Sequence, residues 1–218
     1  MPPEIKFCGM TSATDVAQAA ALGAHYVGVI FAGGPRHQTP DGATRVFGGT
    51  APPPKRVAVV AEQTLDEVVE LVRDLSIDIV QLHSDPSVQR LNDVRSATGA
   101  EAWAVMRLEG SKLPADFAAI ANAADAVVLD ARVASGLGGS GVTLRWSELA
   151  SDLSAARGTT RIVLAGGLKP ENVAQAIAAI NPDIVDVSSG VESAPGIKDH
   201  RKMRAFRDAV QRVGDEDR

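Results

Sequence analysis

Cys8 is the only cysteine among 218 residues, and it ends a short apolar run, EIKFC (4–8), with Gly9 directly after it. A lone thiol has no internal disulfide partner, so it serves either packing or chemistry. Asp130 ends another such run, DAVVLD (125–130). A thiolate can take a proton from carbon, and a carboxylic acid can give one to oxygen. Taken singly, a strand-end thiol is more often a small buried hydrophobe than a catalyst, and the carboxylate reads as a turn cap. Two further runs lead into small, glycine-bearing stretches: AGGL (165–168), containing Gly166 and Gly167, and SSG (188–190), which is Ser188, Ser189 and Gly190. Backbone N–H groups in such stretches approach an anion closely, as phosphate sites require; two tight turns without a ligand use the same residues. Arg36, in AGGPRHQTP (32–40), adds positive potential that would lower the pKa of a nearby thiol. The combination points to proton transfer on a phosphorylated sugar, without a cofactor.

Two other patterns carry less. SGLGGSGVTLRW (135–146) matches G-x-G-x-x-G through Gly136, Gly138 and Gly141. Its glycines stand several residues past the preceding run instead of in the first turn, and no acid ends a run about 20 residues on, so a dinucleotide site is not indicated. The stretch reads as a mobile loop over the site, with Gly139 and Gly141 adding N–H donors to the phosphate, or as a solvated loop only. His25, His37, His83 and His200 show no close spacing, so no metal is expected, although ligands can converge from separate strand ends.

Eight continuous apolar runs place these residues: 4–8, 25–31, 56–61, 78–83, 101–108, 125–130, 161–165 and 183–188. Unbroken rather than alternating hydrophobicity is what a parallel sheet covered by helices needs. Between the runs lie Ala-rich stretches with helical spacing. The first is capped at Ser12 or Thr14 and stops at Gly23; Asp85 with Pro86 opens the one after the fourth run, and Pro170 opens the one after the seventh. Further helices are read at 40–49, 64–75, 114–122, 146–156 and 199–213, and the last four or five residues are expected to fray. Eight strands alternating with eight helices predict one (β/α)8 barrel spanning residues 1–218, while a doubly wound open sheet satisfies the same alternation. In the barrel, the strand ends and the loops after them form the active site, with phosphate after strands seven and eight.

Composition bounds the partners. Hydrophobic residues make up 45% and charged residues 22%, ordinary for a globular protein, and a net charge of −5 argues against nucleic acid or an anionic membrane. No run of about 18 apolar residues is present, and the opening MPPEIKF lacks the pattern of a signal peptide. A cytoplasmic protein acting on a small phosphosugar, as monomer or homodimer, is expected.

At KFCGMT, GVIFAGGPRHQTP, VQLH, LDARVASGLGGSGVTLRW, LAGGLKPENV and DVSSGVESAPGIKD the sequence resembles the phosphoribosylanthranilate isomerases of tryptophan biosynthesis, in order and over nearly the whole chain. The resemblance implies an Amadori rearrangement of N-(5-phosphoribosyl)anthranilate to 1-(2-carboxyphenylamino)-1-deoxyribulose 5-phosphate. It implies Asp130 as the general acid on the ring oxygen and Cys8 as the general base on C2. Arg36 matches an arginine facing the anthranilate carboxylate, and Gly166, Gly167, Ser188, Ser189 and Gly190 match phosphate-binding positions. Asp186 and His83 match polar positions near the substrate. Gly34 and Ser84 depart from the family pattern, where serine and glycine are usual. The Amadori isomerases of histidine biosynthesis are the nearest rival, but they carry a carboxylate where this chain has Cys8.

Overall fold

The computed structural model describes residues 1–48, 54–108, 112–130 and 146–216. Eight parallel strands close into a barrel in chain order. They are β1 (Glu4–Phe7), β2 (Tyr26–Ile30), β3 (Lys55–Val60), β4 (Ile79–Leu82), β5 (Glu101–Arg107), β6 (Ala126–Asp130), β7 (Arg161–Ala165) and β8 (Ile184–Val187). The connecting helices are α1 (Ala13–Ala21), α2 (Pro40–Phe47), α3 (Leu65–Leu75), α4 (Val88–Thr98), α5 (Phe117–Ala123), α6 (Trp146–Ala156) and α7 (Val173–Ile180), and α8 (His200–Glu216) follows β8. The predicted barrel is therefore the observed one, and the open sheet is excluded by the pairing of β1 with β8.

Side-chain alternation divides the strand residues into two layers. Ile5, Phe7, Val27, Val29, Ala102, Ala104, Val185 and Val187 point outward and join the core beneath the helices. Tyr26, Val57, Ile79, Trp103, Val105, Val128, Val163 and Ile184 point inward and fill the barrel. Every strand thus faces apolar surroundings on both sides, which is why the sequence runs are unbroken. At the N-terminal end the filling turns polar: Tyr26 donates to Glu4, and Arg161 and Trp103 both donate to Glu101. This closes the barrel floor and leaves the opposite end for chemistry.

Helix starts follow the caps. Ser12 caps α1 through the Asp15 N–H, and Thr64 with Glu67 forms a reciprocal capping box on α3. Two starts differ from expectation. Ser87, not Asp85, caps α4, because Asp85 takes a left-handed φ of 46° and turns toward Arg107. Pro170 lies in a turn and α7 begins at Val173, because the Asn172 side chain accepts from Lys169 N–H and donates to the Gly167 carbonyl. At the C-terminus α8 continues to Glu216, with Gly214 seated against Pro2, and residues 217–218 of the stretch expected to fray lie outside the described residues. A short antiparallel hairpin, β9 (Glu192–Ala194) and β10 (Ile197–Lys198), was not foreseen.

Candidate active site

The alternation that fills the barrel also aims the rim. Two residues beyond an inward position is again inward, so Cys8 follows Lys6, His83 follows Gln81, and Asp130 follows Val128. Of these, Cys8, Gln81, His83, Val128 and Asp130 meet at the C-terminal mouth in a cleft of about 360 Å³, with Arg36, Gly166, Gly167, Asp186, Ser188 and Ser189 also on its wall. Sequence reasoning named all of those except Gln81 and Val128. Gly139 and Gly141 lie outside the described residues. Gly190 does not line the cleft but sits directly behind it. Arg107, at the same strand level, leaves the cleft and bonds the His83 carbonyl and Asp85.

Cys8 is 6% exposed and stands at the seam where β1 meets β8. Its N–H donates to the Val187 carbonyl at 2.9 Å, and its carbonyl accepts from Lys198 Nζ at 2.6 Å. Lys198 spends its other donors on the Ser188 carbonyl and Glu192, so one buried ammonium ties Cys8 to the phosphate-side loop. Burial pushes the Cys8 thiol up, and the nearby Lys6 and Lys198 ammonium groups only partly oppose it. The expectation of a depressed thiol is therefore overturned, because desolvation outweighs the positive field.

Arg36 is not a loose cation either. Its Nε and Nη2 form a bidentate pair with Glu192 at 2.8 and 2.6 Å, which leaves Nη1 outside the pair. Fixing the fork in this way pre-orients it. Burial alone would raise the Glu192 carboxyl, yet hydrogen bonds from Arg36 and Lys198 bring it down to about 2. A carboxylate held below its ordinary 4.5 contributes stability that is present above that value and is lost as pH falls toward 2. Glu192→Gln is thus expected to lower stability at neutral pH and to flatten acid unfolding between those limits, as followed by circular dichroism. An unchanged acid limb would show that the pair adds nothing to folding.

The side of the cleft expected to take phosphate is built from backbone. Gly166 and Gly167 have φ of 89° and 67°, a left-handed pair that side-chain-bearing residues adopt at a cost. Gly190 is the middle residue of a single 3-10 turn, Ser189–Val191, against the loop after β7, and a β-carbon there would lie 1.9 Å from the Leu168 carbonyl oxygen. Only glycine lets the two loops touch. Gly190→Ala must push backbone apart, so it is expected to weaken inhibition by inorganic phosphate and raise KM about tenfold or more, with a stability loss of about 1–3 kcal/mol. Equal phosphate inhibition in the folded variant would refute that role.

Gln81 Oε1, Asp186 Oδ1 and Ser188 Oγ are buried on the cleft wall and have no hydrogen-bond partner among the described residues. Leaving such atoms unmet costs about 1–3 kcal/mol each, so their convergence marks a place where a polar ligand supplies the missing partners. Asp186 Oδ2 is paired with the buried Lys6 at 2.8 Å. Lys6, Glu192 and Lys198 were missed by sequence reasoning. The signal for Lys6 was available, a charged residue in an apolar run on the same face as Cys8. Among the two departures, Gly34 takes a φ of 107° and Ser84 bonds the Ala61 carbonyl, so both shape loops outside the cleft wall.

The family model PRAI, N-(5'phosphoribosyl)anthranilate (PRA) isomerase, matches residues 5–209. The N-(5'-phosphoribosyl)anthranilate isomerase of Allorhizobium ampelinum is 38% identical, over 97% of this chain and 94% of its own. The TrpF structure from Jonesia denitrificans superimposes with a TM-score of 0.80 at 34% identity, covering 97% of this chain and 98% of that one. A phosphoribosyl anthranilate isomerase structure in complex with reduced 1-(o-carboxyphenylamino)-1-deoxyribulose 5-phosphate also gives 0.80, at 26% identity over 96% and 98% of the chains. With the family model matched over residues 5–209 and a relative 38% identical over 97% of this chain, the chain belongs to the N-(5'-phosphoribosyl)anthranilate isomerase family.

Proposed function

We propose that Cys8 and Asp130 divide the proton transfers of this isomerase. The reaction, in tryptophan biosynthesis, is the Amadori rearrangement of N-(5'-phosphoribosyl)anthranilate to 1-(2-carboxyphenylamino)-1-deoxyribulose 5-phosphate. Asp130 protonates the ribose ring oxygen as the ring opens, and the nitrogen lone pair closes the imine. Cys8, as thiolate, then removes the proton from C2, and the enolamine so formed tautomerises to the ketone. The observation that carries this reading is the shared cleft: the chain's one thiol and a strand-end carboxylate line the same mouth, separated around the barrel by β7 and β8.

Binding roles follow the walls. Gly166, Gly167, Ser188 and Ser189 hold the phosphate with backbone N–H groups and the Ser188 hydroxyl, and Gly190, from behind, keeps the two phosphate-binding loops together. Arg36, fixed by Glu192, faces the anthranilate carboxylate through its remaining nitrogen. Asp186 and His83 contact the sugar portion between these ends. The described helices include none long and apolar enough to cross a membrane, and a cytoplasmic site of action is proposed. All elements from Glu4 to Glu216 other than the β9–β10 hairpin belong to one barrel and its helices, which supports residues 1–218 acting as one domain. One Thermotoga maritima relative is described as dimeric, and either a monomer or a homodimer is proposed here. Purified protein should consume phosphoribosylanthranilate with loss of its fluorescence and should leave the histidine-pathway Amadori substrate unchanged. Turnover of the second substrate alone would overturn the assignment.

A further inference from the structure

Lys6 belongs to none of the roles above, yet it is 0% exposed inside a largely apolar barrel. Burying an ammonium costs several kcal/mol and persists only where a partner holds it. The partner is Asp186, its direct register neighbour on β8. Lys6 lies one layer beneath the cleft, because it precedes Cys8 by two residues on the same inward face, and Asp186 links it to the cleft wall. Continuing the β1–β2 register sets Gly28 beside Cys8. A β-carbon on Gly28 would lie 2.9 Å from Cys8 Sγ and 3.4 Å from Lys6 Nζ, so thiol and ammonium share one gap that only glycine leaves open.

We propose that Lys6 is a positioning residue for the proton-abstraction step, supplying from below the cleft the fixed positive charge against which the Cys8 thiolate forms. This rests on Cys8 being the base. The charged groups around the thiol support the choice. Lys198 and Arg36 approach from the hairpin and the loop after β2, but both are hydrogen-bonded to Glu192. Asp186, from β8, puts a negative charge near the thiol, and it opposes ionisation. It shares its charge with Lys6 through Oδ2 and turns Oδ1, unpartnered, toward the cleft. A donor on a bound ligand that reaches Oδ1 draws that negative charge away and leaves the ammonium to the thiolate. Burial by itself would lower the Lys6 ammonium, but Asp186 and Cys8 raise it above the ordinary 10.5. Lys6 therefore keeps its own proton throughout, while the proton from C2 passes to Sγ.

The single cysteine makes the test unambiguous, since alkylation by iodoacetamide against pH reports one thiol. In Lys6→Gln the alkylation midpoint should rise by about one unit or more, and kcat at neutral pH should fall about tenfold or more. The lost kcat should return as pH rises, with KM little changed. A purely structural role would not move the midpoint or be repaired by pH. Where Lys6→Gln does not fold, Lys6→Met/Asp186→Asn removes both charges together, and its midpoint should lie above that of Asp186→Asn alone. An unmoved midpoint in folded Lys6→Gln, or equal midpoints in the second pair, overturns the role of Lys6. The base assignment fails separately, by activity in Cys8→Ser, whatever the Lys6 variants do.

Discussion

Cys8→Ser is expected to fold, to bind product and to turn substrate over about 100- to 10,000-fold more slowly than the parent protein. Serine keeps nearly the volume of cysteine, and the backbone bonds at this position, to Val187 and from Lys198, do not involve the side chain. Packing alone would therefore cost stability and spare turnover per folded molecule. Loss of turnover without loss of product binding follows only if the sulfur takes the proton, since an alcohol hardly ionises in this range. The pH profile carries the sign. A base works in its deprotonated form, and burial raises this thiol, so the rising limb in the substrate-free enzyme should lie at or above the ordinary thiol range. Iodoacetamide should inactivate the parent, and product should protect it. Parent-like turnover in folded Cys8→Ser would falsify the mechanism.

Asp130→Asn should be comparably severe, a fall of about 100- to 10,000-fold in kcat, for a different reason. The side chain ends β6, in register with Ala165 at the start of the phosphate-side loop. Asparagine preserves shape and still donates a hydrogen bond, but it cannot give up a proton to the ring oxygen. Ring opening should then limit the reaction, so single-turnover kinetics should show slow decay of the substrate before any enolamine forms. Product, whose ring is already open, should bind with nearly unchanged affinity. A variant that loses product binding as strongly as turnover would make Asp130 a contact residue and not the acid.

The barrel was legible because its strands are buried on two sides, and unbroken β-branched runs leave little else for them to be. The rim followed from the same fact: polar residues at the ends of apolar runs, from Cys8 to Ser188, fall at one end of a parallel barrel. Glu192 and Lys198 were not legible, because a three-residue strand and a two-residue strand leave no period to read. Their function is also reciprocal, each meaningful only once Arg36 and the Cys8 carbonyl are nearby in space. Lys6 was overlooked through the assumption that helps elsewhere, that a buried run is apolar throughout. The proline signals at Pro86 and Pro170 misplaced two helix starts because Ser87 and Asn172, each one or two residues later, compete for the first turn and win.

The seam between β1 and β8 also sets when this protein can begin to work. The Asp186 that meets Lys6 comes 180 residues after its partner, and the Lys198 that holds the Cys8 carbonyl comes 190 residues after it. A chain emerging from the ribosome carries its thiol without those partners until β8 and the hairpin after it appear. With Cys8 as the proposed base, turnover starts only when the ring is joined, and a rate measured during synthesis is a clock for the final strand.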